Sequence, residues 1–203
     1  MRRAEELKER SDHRIICDMV KEGESVLDLG CANGDLMTLL IQVKKASVQG
    51  IELDAEAVHR CVERGLTVFH GDIESGLADY PAGSFDCVVL NQSIQEVKNV
   101  GFIMAESLRV GRRVIVGFPN FAHISTRLTL FFRGKTPVTN ALPHLWHDTP
   151  NVRFFSIRDF EDFCRSEGLR VLKAAFLGDR GTLACCPNLF ARKAVYLLTG
   201  EEK

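Results

Sequence analysis

Five carboxylates recur at one kind of place in this chain. Asp28 and Asp35 flank the glycine-bracketed turn in "SVLDLGCANGDL" (Ser25 to Leu36), Glu52 and Asp54 close "SVQGIELD", and Asp72 closes "LTVFHGD". Gly30 allows a sharp turn and a close approach of ligand to backbone. Gly34 allows a second approach, and a helix from about Asp35 offers unpaired amides. Such a turn suits a nucleotide-like ligand. It does not suit a dinucleotide, because the GxGxxG positions counted from Gly30 are Gly30, Ala32 and Asp35, and two of the three glycines fail.

The acids narrow the ligand further. Carboxylates crowded around a diphosphate cost Coulomb energy, so a cationic ligand fits better. S-adenosylmethionine has no phosphate and carries a sulfonium and an ammonium, and its ribose diol suits a carboxylate about 20 residues after the turn. Glu52 has that spacing. Asp72 is placed to accept from the adenine amino group, with the amide of Ile73 nearby. Any one of these acids alone reads as a helix cap or a solvated turn. Their recurrence after three successive strands is what points to a ligand.

The elements that must hold these groups follow from periodicity. Residues 1–22 read as a leading amphipathic helix, ended by "KEGES". Strand "SVLDLG", helix "GDLMTLLIQVKK", strand "SVQGIELD", helix "AEAVHRCVERG" and strand "LTVFHGD" come next. Strand "FDCVVLNQ", a helix around "NVGFIMAESLRV" and strand "RRVIVGFPN" continue the alternation. This predicts an α/β class, a mainly parallel sheet with helices on both faces, and a ligand beyond the carboxyl ends of the strands. Residues 121–153, rich in aromatics, histidines and prolines, break the alternation and read as an irregular cap or interaction segment. Helix and strand return in "SIRDFEDFCRSEGLRVLKAAFLG", and "NLFARKAVYLL" reads as a last strand.

Composition bounds the rest. The 203 residues suit a single domain over 1–203, and 45% apolar with 26% charged residues is ordinary globular usage. A net formal charge of -1 gives no reason to expect nucleic acid. Seven cysteines with no CxxC spacing, a charged start "MRRAEELKER" and no apolar run near the roughly 20 residues of a membrane span predict a cytoplasmic protein with no membrane partner.

With these residues in view, the chain resembles the class I S-adenosylmethionine-dependent methyltransferases. "VLDLGCANG" is similar to their first motif, "GIELD" to the second and "GD" before Ile73 to the third. More narrowly, "GIELDAEAVHRCVERGLTVFHGDIESGL", "SLRVGRRVIVGFPNF", "PVTNALPHLWHDTPN" and "IRDFEDFC" resemble the MetW family of methionine biosynthesis proteins, from about Val26 to Leu198. The resemblance implies a Rossmann-like class I methyltransferase fold with a mostly parallel seven-stranded sheet. It implies S-adenosylmethionine or S-adenosylhomocysteine contacts at Asp28, Gly30, Cys31, Ala32, Gly34, Glu52, Leu53, Asp72, Ile73 and Asn91. It also implies a role as partner or regulator of homoserine O-acetyltransferase. The relatives usually carry glycine where Ala32 stands. A methyl group there either meets the methionine part of the ligand or is accommodated by a backbone that keeps negative φ. An active methyltransferase on an unidentified small molecule and a fold with an empty pocket stay open beside the partner role.

No catalytic residue is assigned, because methyl transfer needs mainly in-line positioning. "NQSIQE" lacks the Asn-Pro-Pro-aromatic pattern of amine methyltransferases, so Asn91 and Gln92 are either ligand contacts or a polar strand end. No GxSxG elbow is present, and homoserine acylation by this chain alone is not expected. His144, His147 and Asp148 in "HLWHD" sit in a proline-bounded loop, and no metal is expected there. Phe118, Phe121, Phe131 and Phe132 around Arg127 and Arg133 suit either an interface or a cap packed on its own core. The adjacent Cys185 and Cys186 are poorly placed for a mutual disulfide and read as buried or half-buried residues.

Overall fold

The computed structural model describes residues 2–139, 141–179 and 181–200. Met1, the start of the expected leading helix, and Asn140, in the expected cap, lie outside the described residues. The chain alternates as anticipated: α1 (Arg2–Met19), β1 (Ser25–Leu29), α2 (Asp35–Lys44), β2 (Ser47–Glu52), α3 (Ala55–Glu63), β3 (Thr67–His70), α4 (Ile73–Gly76), β4 (Phe85–Asn91), α5 (Val100–Val110) and β5 (Gly111–Pro119). After these come α6 (Ile124–Arg133), α7 (Ile157–Ser166), β6 (Leu169–Gly178), β7 (Gly181–Thr182), α8 (Pro187–Phe190) and β8 (Lys193–Gly200). The strand order is β3-β2-β1-β4-β5-β8-β6-β7, parallel from β3 to β5 and antiparallel beyond. The order reverses direction between β1 and β4, which opens the crevice where ligands of such sheets sit.

Both faces of the central strands are buried, and successive side chains feed opposite layers. In β4, Val88 and Leu90 join the layer with Ile103, Met104, Phe118, Phe160 and Tyr196, while Cys87 and Val89 join the layer with Ile16, Met37 and Leu40. Helices α5 and α7 therefore cover one face, and α1 and α2 the other. The buried Asp12 of α1 accepts a 3.0 Å ion pair from Lys193 of β8, which ties the leading helix to the antiparallel half of the sheet. Helix α7 starts at a capping box in which Ser156 and Asp159 exchange hydrogen bonds.

Two expectations about the elements need correction. The sheet has eight strands rather than seven, because the chain folds back after Gly178 and pairs Gly181 and Thr182 antiparallel to the end of β6. The segment 121–153 is not wholly irregular, since it contains α6. His123 caps that helix by accepting from the Ser125 amide, and Gly134 ends it in the left-handed conformation. Thr126 is its only buried residue, so α6 lacks the buried apolar stripe from which a helix is read in sequence. Cys185 and Cys186 also depart from expectation: both are exposed, with sulfurs 3.6 Å apart.

Candidate cofactor site

The ten residues anticipated for a cofactor gather at the carboxyl ends of four adjacent parallel strands, β3, β2, β1 and β4. The turn after β1 is held by backbone bonds. The amides of Gly30 and Cys31 donate to the Ile51 carbonyl at 2.8 and 3.3 Å, and the Gly34 amide donates to the Cys31 carbonyl at 2.9 Å. Glycine is required at Gly30 twice over. Its φ is +78°, and a Cβ there would stand 2.9 Å from the Cβ of Ser93, whose hydroxyl donates to the Leu29 carbonyl. Gly34, at φ +74°, precedes α2 without a side-chain cap, so the first amides of that helix stay free of a capping side chain.

Ala32 lies at φ +46°, so the backbone does not keep the negative φ that would accommodate its methyl group without strain. The left-handed region costs a non-glycine residue about 1 kcal/mol or more. Two contacts hold the residue there. Its amide donates to Glu52 Oε2 at 2.8 Å, and its carbonyl accepts from Cys61 Sγ at 3.2 Å.

Glu52 is the hub of the site. Its Oε1 accepts from the amides of Leu53 and Asp54, both at 2.9 Å, so one carboxylate ties the turn after β1 to the loop after β2. Oε1 is filled by its two amides, and Oε2, with one, keeps a lone-pair site for a ligand hydroxyl. Leu53 projects its side chain to solvent while its carbonyl oxygen lies 2.9 Å from His70 Nε2. Asp72 spends one oxygen capping α4, where it accepts from the Glu74 amide at 2.9 Å, and Ile73 is the first residue of that helix. Asp72 is linked to the hub through its neighbour Gly71, whose amide donates to the Glu52 carbonyl.

Asp28 is 2% exposed. Burial, and after it the charge of Glu52, pushes its carboxyl up to about 7. At Cys31, burial and then Asp28 push the thiol up, so it is a protonated neighbour rather than a nucleophile. Glu96 carries the acidic field outward: partial burial and then Glu52 raise its carboxyl, and His144 of the cap opposes them. An added cation meets three interacting carboxyl groups here, which favours a positively charged ligand over a phosphate.

Beyond β4 the polar atoms are under-satisfied. Asn91 Oδ1, Gln92 Nε2 and Gln95 Oε1 are buried without a hydrogen-bond partner. A Cβ at Gly117 would stand 2.3 Å from Asn91 Oδ1, so the glycine makes room for that side chain. Gln95 Nε2 donates to the Gln92 carbonyl, and the Gln95 carbonyl accepts from Val152 and Arg153 at the end of the cap.

Sequence reasoning missed Arg60 of α3 and Arg64, which caps the C-terminus of that helix. Arg60 Nε donates to Asn33 Oδ1 at 2.7 Å, while Arg64 reaches the Asn33 carbonyl, Asp35 and Thr38. Their four-residue spacing, which brings both to one side at the end of α3, was the available signal. Ser93, Gln95 and Glu96 were missed as well, since nothing in "SIQE" announces its position. His144, His147 and Asp148 do not form a metal-binding group with neighbours, and none is found among the described residues. Among the described residues no helix is long and apolar enough to cross a membrane.

The family model described as methionine biosynthesis protein MetW matches residues 10–198. The chain is 35% identical over 205 residues to the bifunctional methionine biosynthesis protein MetXA/MetW of Rhodopirellula baltica, covering 95% of this chain and 33% of that one. It is 35% identical over 96 residues to a ribosomal protein L11 methyltransferase of Burkholderia ambifaria, covering 47% of this chain and 32% of that one. The chain thus spans about a third of the length of these curated relatives. Among solved structures, a possible histamine N-methyltransferase from Thermotoga maritima, described as SAM-dependent, superposes with a TM-score of 0.69 at 17% identity, covering 98% of this chain and 92% of that one. A SAM-dependent methyltransferase from Archaeoglobus fulgidus gives 0.69 at 14% identity, with 97% and 94% covered. At these identities the likeness shows the methyltransferase fold.

Proposed function

Because the chain belongs to the methionine biosynthesis protein MetW family, we propose that it binds S-adenosylmethionine or S-adenosylhomocysteine and supports homoserine O-acetyltransferase as its partner or regulator. The observation that carries the reading is the Rhodopirellula relative, whose name joins MetXA and MetW and whose similarity covers 95% of this chain. The site is consistent with the ligand half of the proposal. Glu52 Oε2 keeps a lone-pair site for a ribose hydroxyl, Asp28 and Glu96 favour an ammonium or sulfonium, and the Gly30 turn leaves the backbone open. Asp72 has one carboxylate oxygen beyond its cap for an adenine amino group, beside the Ile73 amide. When bound, S-adenosylmethionine supplies an electrophilic methyl group. The chain's own residues bind and orient it.

Two measurements test the proposal. Calorimetric titration with S-adenosylhomocysteine should give saturable binding that Glu52→Ala abolishes. Mixing with the purified acyltransferase of the same organism should change its rate of homoserine acetylation. No complex and no kinetic effect would refute the partner role. The unpaired polar atoms of Asn91, Gln92 and Gln95 favour a second reading, methyl transfer to a small polar acceptor. Transfer of labelled methyl into a metabolite extract tests it, and a blank result with bound cofactor counts against it.

A further inference from the structure

The cap, residues 121–153, exposes large apolar and basic side chains among its described residues. Phe131 and Phe132 of α6 are 81% and 75% exposed, Trp146 is 74% exposed, and Leu128, Leu130 and Leu145 are exposed beside them in the sequence. The two phenylalanine rings meet edge to face, 5.0 Å between centroids, so they form one projecting knob. Residues 121–153 carry Arg127, Arg133, Lys135 and Arg153 against a single acid, Asp148, in a chain of net formal charge -1. Arg133 and Lys135 form no ion pair among the described residues. Exposed phenylalanines followed directly by an arginine with no ion pair, and an exposed Trp in the same segment, are the residue types of a protein interface centre rather than of an ordinary surface. The end of the same segment adjoins the candidate site, since the Val152 and Arg153 amides donate to the Gln95 carbonyl and His144 acts on Glu96.

We propose that the exposed apolar residues of this segment, the Phe131–Phe132 knob and Trp146, dock the acyltransferase, which meets them with an apolar pocket rimmed by acids. The assignment rests on the partner reading above. The occupant is chosen on two grounds. The relative whose name joins MetXA with MetW holds this chain's counterpart in a third of its length, leaving two thirds for the rest. The unpaired positive charges call for an acidic complement, which a second copy of the same basic cap does not offer.

The test is the affinity of the purified acyltransferase for the full chain, for Phe131→Asp/Phe132→Asp, for Trp146→Ser and for Arg133→Glu, with Val43→Asp on α2 as an exposed apolar control. Because these side chains leave the core untouched, S-adenosylhomocysteine affinity should stay unchanged and certify folding. Each cap variant should weaken the complex at least about tenfold while the control does not. Unchanged affinity in the cap variants, with the unsubstituted chain binding, overturns the docking face and leaves the partner reading standing. No binding by the unsubstituted chain overturns both. If the cap instead mediates self-association, or adsorption to anionic lipid vesicles that the double variant abolishes, the assigned occupant is wrong.

Discussion

Replacing Asp28 by asparagine should make the ligand-free protein more stable, by an amount that grows with pH. The carboxyl is 2% exposed, and burial first, Glu52 second, raise it from an ordinary 3.8 to about 7. The folded state therefore holds this proton more tightly than the unfolded chain does. That advantage is full below about pH 4 and is lost as the pH climbs through the folded value near 7. The displacement is roughly three pH units, and at about 1.4 kcal/mol each the wild type gives up on the order of 4 kcal/mol by pH 8. The asparagine amide is near-isosteric with the carboxyl and never ionises. In urea denaturation followed by circular dichroism, Asp28→Asn should exceed the wild type by up to about 4 kcal/mol at pH 8, with the gap shrinking steadily toward pH 5. For a chain of this size the gap corresponds to roughly 10 °C in Tm. The same change removes a negative charge facing the cofactor crevice, so affinity for S-adenosylhomocysteine should fall as stability rises. Parallel stability curves for the two proteins across pH 5 to 8 would refute the reasoning, since they would mean that Asp28 titrates alike folded and unfolded.

Ala32→Gly relieves a left-handed alanine and should raise stability by about 1 kcal/mol, seen as a Tm increase of roughly 2–4 °C; a decrease would show that the turn is unstrained. Glu52→Gln places an amide NH2 against one of the three backbone donors that the carboxylate serves. It should cost about 1–3 kcal/mol in unfolding free energy and weaken S-adenosylhomocysteine in calorimetry at least about tenfold. Retained affinity would remove Glu52 from the site.

Much of this architecture is legible in one dimension. Strands such as "SVLDLG" and "FDCVVLN" announce themselves because both faces of a parallel sheet are buried, and apolar runs between glycine and acid punctuation follow from that. The acids at Asp28, Glu52 and Asp72 are readable because successive β-α units place their strand ends side by side. Helix α6 was not readable, because its apolar residues face outward and no core-facing period marks it. The hairpin that adds β7 was not readable either, since a two-residue strand leaves no pattern.

What the sequence by itself determined is the order of the elements, the parallel half of the sheet and the acidic character of its carboxyl edge, all of which are local in the chain. Tertiary structure decided how those acids act on one another. Only folding brings Glu52 to the Ala32 amide, buries Asp28 until its carboxyl rises to about 7, and sets Ala32 at φ +46°. It also decided that Phe131, Phe132 and Trp146 face solvent rather than the core. The physical reason is the same throughout: desolvation, charge coupling and exposure depend on distances across the fold, and residue type and spacing along the chain do not contain them.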